Sequence, residues 1–281
     1  MIDVKNLNFS YTATPFISNV AFSVEKGQIF GFLGPSGAGK STLQKILTGL
    51  LTTYSGQVQV SGQEAKFRSH SFYEQIGVDF EFSSLYEKLT GRENLDFFAS
   101  LYKKRRDADP LLERLGLLKD TDKKISDYSK GMKSRLNFIK ALLHDPALLF
   151  LDEPTSGLDP RNARLMKDMI LEEKEKGKTI ILTTHNMYDA TELCDQVAFI
   201  VDGKLKALDT PKNLIMSRGA SQVTYTFREN DRLFEQKALL HQTGSDEKLQ
   251  QLILNNQLLS IHSSEPTLND IFVELTGRKL Q

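Results

Sequence analysis

The chain has 281 residues, 40% of them hydrophobic, with 36 basic and 36 acidic side chains and no formal net charge. That apolar share is enough for a buried core and excludes a disordered segment. Neutrality argues against a nucleic-acid binder, which needs a basic surplus to displace phosphate counterions. At ~100–200 residues per domain, the length suits one large domain, or a domain plus an extension. The one cysteine, Cys194, has no intramolecular disulfide partner, which suits a reducing compartment. No run reaches the ~18 consecutive apolar residues of a membrane span. The start, MIDVKNLNFS, lacks the plan of a signal peptide. The expectation is a soluble, cytoplasmic chain that docks if it works at a membrane.

In chain order, Gln28–Leu33 reads as a strand and Lys40–Leu50 as the helix after it. Val58–Val60 and Ile76–Phe80 are further strand candidates. A mainly helical stretch runs from about Glu93 to His144. Ala147–Leu151 reads as a strand, Arg161–Glu175 as a helix, Thr179–Thr184 as a strand and Met187–Leu193 as a helix. Val197–Val201 and Lys204–Leu208 form a hairpin around Asp202-Gly203. Strands separated by helices imply an α/β fold with a mostly parallel sheet covered on both faces. The pattern changes near Ser217-Arg218-Gly219. Beyond it come a strand-like Gln222–Arg228, a polar middle, a strand-like Gln257–His262 and a helical Leu268–Leu275.

The strongest chemical signal is Gly34, Pro35, Ser36, Gly37, Ala38, Gly39, Lys40, Ser41 and Thr42. It fits G-x-x-x-x-G-K-[ST] between a predicted strand and a predicted helix, the context a phosphate loop requires. Glycines let the backbone fold tightly, so successive N–H groups converge on phosphate oxygens. The helix adds its positive dipole end, Lys40 a point charge and Ser41 a hydroxyl for magnesium. Read alone, the segment is also a flexible Gly-rich turn. The second signal is Ala147–Leu151 followed by Asp152 and Glu153. The C-terminal end of a parallel strand faces the ligand crevice. There Asp152 can hold magnesium and Glu153 can polarise a water. By itself a strand ending in two carboxylates is often a solvated edge; its place after the phosphate loop raises it.

With these elements in order, the chain resembles the ATP-binding subunit of an ABC transporter over nearly its whole length. The resemblance implies a P-loop nucleotide-binding domain with a mixed sheet core and a helical subdomain at about residues 83–145. The change of pattern near Ser217-Arg218-Gly219 sets this domain at 1–218 and a small α+β extension at 219–281. Leu7–Tyr11 aligns with the segment whose aromatic stacks on adenine, with Tyr11 the candidate and Phe9 second; ordinary core packing is the alternative for either. Tyr128-Ser129-Lys130-Gly131-Met132 aligns with the family's Leu-Ser-Gly-Gly-Gln signature, and Ser156-Gly157-Leu158-Asp159 with a loop at the subunit interface. His185 matches the switch histidine. Two positions depart from the pattern. Glu81 stands where a metal-contacting glutamine is usual, exchanging a neutral carbonyl for a full charge. In the signature, Lys130 and Met132 replace a glycine and the glutamine, while Ser129 and Gly131 remain.

The resemblance also implies a mechanism. Two such subunits pair head to tail. ATP on Lys40 and Ser41 of one is covered by Ser129 and Gly131 of the other, with Mg2+ on Ser41, Asp152 and Glu81. Glu153 acts as base beside His185. With both present, a homodimer is favoured over a heterodimer. A separate six-span permease would dock between Glu81 and Ser129, where Phe98 and Tyr102 belong to an aromatic stripe that otherwise reads as core. The chain would then sit peripherally on the cytoplasmic side of the cell membrane, with no nucleic-acid partner. The tail, Glu265 to Arg278, resembles the close of bacterial export-type members. The alternatives are a soluble ABC ATPase acting on ribosomes or DNA, and a regulatory ATP-binding subunit. Residues 101–135 hold 11 basic against 6 acidic side chains. That surplus reads as a solvated helical face or as a surface toward anionic lipid.

Overall fold

The computed structural model describes residues 1–80, 84–218, 222–230, 232–264 and 266–277. The elements in chain order are β1 (Ile2–Phe9), β2 (Ile17–Val24), β3 (Ile29–Leu33), α1 (Lys40–Leu47), β4 (Ser55–Val60), β5 (Gln63–Glu64), α2 (His70–Tyr73) and β6 (Ile76–Asp79). Then come α3 (Gly91–Ser100), α4 (Asp109–Arg114), α5 (Lys130–Leu142), β7 (Leu148–Asp152), α6 (Pro160–Glu175), β8 (Thr179–Thr184), α7 (Met187–Leu193), β9 (Gln196–Val201) and β10 (Lys204–Asp209). The last are α8 (Pro211–Arg218), β11 (Gln222–Glu229), β12 (Arg232–Leu239), α9 (Glu247–Leu254), β13 (Leu258–Ser264) and α10 (Leu268–Thr276).

Residues 1–208 and 209–281 form two compact units. The division falls after Leu208, not after Arg218 as the sequence pattern placed it, because α8 packs against α10 of the second unit.

In the first unit a six-stranded sheet runs in the order β10-β9-β3-β8-β7-β6. Its central strands β3, β7 and β8 are parallel to their neighbours and buried at every residue. Continuous apolar runs such as Leu148-Leu-Phe-Leu are what a sheet covered on both faces requires. A second, antiparallel sheet has the order β2-β1-β4-β5. The core shared by the two sheets and α1 is largely aromatic and β-branched. Phe22 stacks on Phe30 at 5.3 Å and meets Phe32 edge-on at 5.2 Å. Each such fully buried side chain is worth roughly 1.5–3 kcal/mol against exposure.

The helical stretch resolves into α3, α4, two single 3-10 turns and α5. Thr90 starts α3 with a reciprocal capping box to Glu93, satisfying two otherwise orphaned N–H groups. The basic surplus of residues 101–135 is partly neutralised from outside that stretch. Lys104 pairs with Asp145, Arg106 with the buried Glu173 at 2.9 Å, and Arg114 with Glu172.

In the second unit the sheet order is β12-β11-β13, all antiparallel. Tyr225 and Phe227 on one face of β11 pack with Leu249 and Leu252 of α9. Both β12 and α9 lie in the stretch that the sequence left as a polar middle.

Candidate functional site

Three backbone facts build the site. First, β3 ends at Leu33 and the chain turns sharply at Gly34. A Cβ there would lie 2.1 Å from the Ile200 carbonyl oxygen of β9, so only glycine fits. Second, α1 starts at Lys40 with no side-chain cap and no acidic residue in its first turn. Its N-terminal end, with the positive pole of its dipole, therefore faces the cavity that Lys40, Ser41 and Thr42 line. Third, β7 and β8 run parallel in register, so Asp152 and Thr183 are neighbours at their C-terminal ends.

A cavity of about 240 Å³ gathers Ser36, Gly37, Gly39, Lys40, Ser41 and Thr42 of the loop with Asp152, Glu153 and His185. Gly34 and Ala38 are buried behind it, and the carbonyls of Gly34 and Pro35 accept from Lys40 Nζ at 2.7 and 3.0 Å. The Lys40 ammonium is thus folded back onto its own loop.

Asp152 is 7% exposed. One of its oxygens accepts from the buried Thr183 hydroxyl. Glu153 turns away from the strand with φ +51°. Among the described non-glycine residues with positive φ, it is the one that is neither Asn, Asp nor Ser. Its own N–H is held by the Thr183 carbonyl at 3.0 Å. Its carboxylate lies 2.8 Å from His185 Nδ1 and accepts from the Thr184 hydroxyl at 3.2 Å. Such strain concentrates at functional positions. Here it aims Glu153 and Asp152 into one cavity from adjacent residues. The donor set of Ser41 hydroxyl and Asp152 carboxylate is hard oxygen, which fits magnesium.

Other expected residues are not among those that line this cavity. Tyr11 is 56% exposed, with its ring edge-on to Phe9 and Phe16 and its hydroxyl 3.0 Å from Thr42 Oγ1. Phe9 is core, and the aromatic that lines the cavity is Phe16. Ser129 is exposed and caps α5, its Oγ accepting from Met132 N–H at 3.2 Å. Gly131 is in the first turn of that helix. Asp159 caps α6, and its bonds from Asn162 hold its carboxyl below the usual range. None of Ser129, Gly131 and Asp159 lines the phosphate-loop cavity. Glu81 lies outside the described residues.

The structure adds residues that the sequence did not single out. Thr183 and Thr184 fix the two carboxylates. Their signal was a polar end, Thr-Thr, on an otherwise apolar strand. Asp79, buried at the end of β6, accepts from Asn137 of α5. Burial pushes its carboxyl up to about 7, against the pull of Lys140 and Asn137. Asp79 and Asn137 share a neighbouring cavity of about 400 Å³ with Asp152 and Glu153.

Comparison with known proteins agrees with this geometry. A family model described as ABC transporter matches residues 17–156. A fluoroquinolones export ATP-binding protein of Mycobacterium tuberculosis (strain CDC 1551 / Oshkosh) is 48% identical, with 100% of this chain and 94% of that protein covered. A Nod factor export ATP-binding protein I of Rhizobium sp. (strain N33) is 34% identical, over 100% of this chain and 98% of the relative. Among solved structures, an ATP-binding subunit of an ABC transporter superposes with a TM-score of 0.71 at 31% identity, covering 77% of this chain and 92% of that one. Phosphate loop, strand-end carboxylates, histidine and full-length likeness agree, and the chain belongs to the ATP-binding proteins of the ABC transporter family.

Proposed function

We propose that this chain is the ATP-hydrolysing subunit of an ABC exporter, coupled to a separate six-span permease on the cytoplasmic face of the membrane. The observation that carries the reading is the single cavity joining the phosphate loop to Asp152, Glu153 and His185. The export names of relatives alignable from end to end support the direction of transport.

The residues divide the work as follows. Phosphates enter against the loop N–H groups and the α1 N-terminus, and Lys40 exchanges its two loop carbonyls for phosphate oxygens. Ser41 and Asp152 would hold Mg2+, which would neutralise charge on the outer phosphates. Glu153, positioned by Thr184 and strained backbone, takes the proton of the attacking water. His185, 50% exposed, keeps Glu153 aimed through Nδ1, which would leave its other ring nitrogen for the γ-phosphate. Ser129 and Gly131 are exposed or half-exposed and outside the cavity, which suits closure over the ATP of a second copy. A homodimer supplies two equivalent sites.

Permease contact falls on the helical subdomain. A groove of about 290 Å³ is lined by Tyr73, Phe80, Phe98, Leu101, Tyr102 and Lys140. Leu95 is core, whereas Leu101 is 54% exposed and Phe98 and Tyr102 are half-buried. No described helix is long and apolar enough to cross a membrane.

Glu153→Gln tests the assignment. The variant binds ATP, loses turnover by ~100-fold or more, consistent with removal of a general base, and accumulates as a dimer on a sizing column. Unchanged turnover would remove Glu153 as the base.

A further inference from the structure

The second unit leaves one sheet edge open. β12 is at the end of the order β12-β11-β13, and among the described residues no strand pairs with its outer side. It is exposed from Arg232 to Lys237. Its register on β11 sets Arg232 opposite Glu229, Phe234 opposite Phe227, Gln236 opposite Tyr225 and Ala238 opposite Val223.

That register fixes where the backbone groups point. Only two residues separate Glu229 from Arg232, and the pair closing such a hairpin exchanges both its hydrogen bonds. Hydrogen-bonded and non-bonded pairs then alternate. Arg232, Phe234, Gln236 and Ala238 therefore spend their N–H and C=O groups on β11. Leu233, Glu235, Lys237 and Leu239 turn theirs outward, where they form a template for another strand.

The side chains select which strand. An antiparallel copy of β12 keeps outward residues opposite outward residues only when it is centred on whole residues. Centring on Glu235 sets two carboxylates face to face, and centring on Lys237 sets two ammonium groups face to face. Centring on Gln236 sets Glu235 opposite Lys237 at two symmetric positions, Leu233 opposite Leu239 and Phe234 opposite Ala238. Opposite charges directly across an antiparallel pair stabilise it, and like charges destabilise it. Among the whole-residue registers, all of which satisfy the backbone, centring on Gln236 is the one that sets opposite charges of β12 across from each other. We propose that a second copy of this chain adds its β12 to this edge, antiparallel about Gln236, to make one continuous sheet across two copies.

The inference deepens the homodimer reading and rests on it. A strand pair between second units tethers two subunits when ATP closure is released, so their re-encounter is intramolecular.

The test uses the full chain without nucleotide, followed by sedimentation equilibrium up to ~100 μM, a range that reads weak association. The expected result is a concentration-dependent dimer. Glu235→Lys and Lys237→Glu each weaken it at least ~10-fold through like charges, and the double swap restores it. Glu235→Pro leaves a folded monomer by circular dichroism, because its N–H faces outward on an edge strand. Gln236→Cys, whose symmetry mate lies directly opposite, forms an intermolecular disulfide on mild oxidation. A control Leu254→Cys, 80% exposed on α9, does not. A chain that stays monomeric with no Gln236→Cys cross-link overturns the proposal. So does a dimer indifferent to Glu235→Lys and Glu235→Pro. The ATP-dependent dimer of Glu153→Gln is measured in parallel. If it persists in the Glu235→Pro background while the nucleotide-free dimer never forms, strand pairing fails and the homodimer reading stands. If neither dimer forms, both fail.

Discussion

Thr183→Val isolates one bond behind the nucleotide site. Thr183 is fully buried at the end of β8, and its hydroxyl donates to a carboxylate oxygen of Asp152, itself 7% exposed. Valine keeps the branched shape, so the main loss is the donor rather than volume. A hydrogen bond to a charged group is worth about 1.5–3 kcal/mol, and the orphaned carboxylate stays buried. At ~2–4 °C per kcal/mol for a unit of this size, the melting temperature should fall by about 3–12 °C. The functional effect has a different signature. Groups that orient a metal ligand typically cost ~10–100-fold in metal affinity when removed. A magnesium titration of ATPase activity should therefore shift to higher concentration by that factor, with turnover recovering at saturation. Thr184→Val is the internal control. It frees Glu153, not Asp152, and should lower turnover while leaving the magnesium midpoint in place. If Thr183→Val leaves both melting and magnesium dependence unchanged, Asp152 does not depend on this bond. The assignment of Asp152 to the metal then loses its structural support.

The other expectations are briefer. Gly34→Ala drives a Cβ into the Ile200 carbonyl and should cost about 1–3 kcal/mol while abolishing ATP binding, read by melting and equilibrium dialysis. His144 is buried, stacked on Tyr102 at 3.8 Å, with Nε2 on the Ile76 carbonyl and Nδ1 unpartnered. Burial lowers its pKa, so the unfolded chain takes up the proton first. The stabilisation is complete above about 6.5, the ordinary histidine value, and is lost as pH falls below it. His144→Phe should flatten that part of the pH dependence of denaturant unfolding; an unchanged slope assigns it to another group. Phe98→Glu with Tyr102→Glu should leave ATPase activity while transport falls in membranes holding the permease. A collapse of the fold would make both residues core.

Much of the catalytic unit is legible in the residues alone, for identifiable reasons. Thr179–Thr184 and Met187–Leu193 are read to the residue, because uniform burial and a clear Asn186 cap leave little ambiguity. The hairpin at Asp202-Gly203 is read from its turn chemistry, and both residues do adopt left-handed backbone, at φ +49° and +67°. By contrast β1 is obscured by a bulge. Its buried residues are Ile2, Val4, Leu7 and Phe9, so alternation slips by one at Asn6, where φ is +49°. β12 is obscured because six of its residues face solvent and carry no period. The Asp152–Thr183 and Asp79–Asn137 contacts join residues 31 and 58 positions apart. No local pattern encodes them; the strand order does.

The left-handed backbone of Glu153 bears on how this protein tolerates change. A side chain at that conformation costs roughly 1–2 kcal/mol, which glycine would release. Glu153→Gly should then fold better than the parent while hydrolysing nothing. Selection for solubility or thermal tolerance alone would drift toward that inactive form. A stabilised variant of this chain therefore needs its turnover measured, because at this position robustness and chemistry pull in opposite directions.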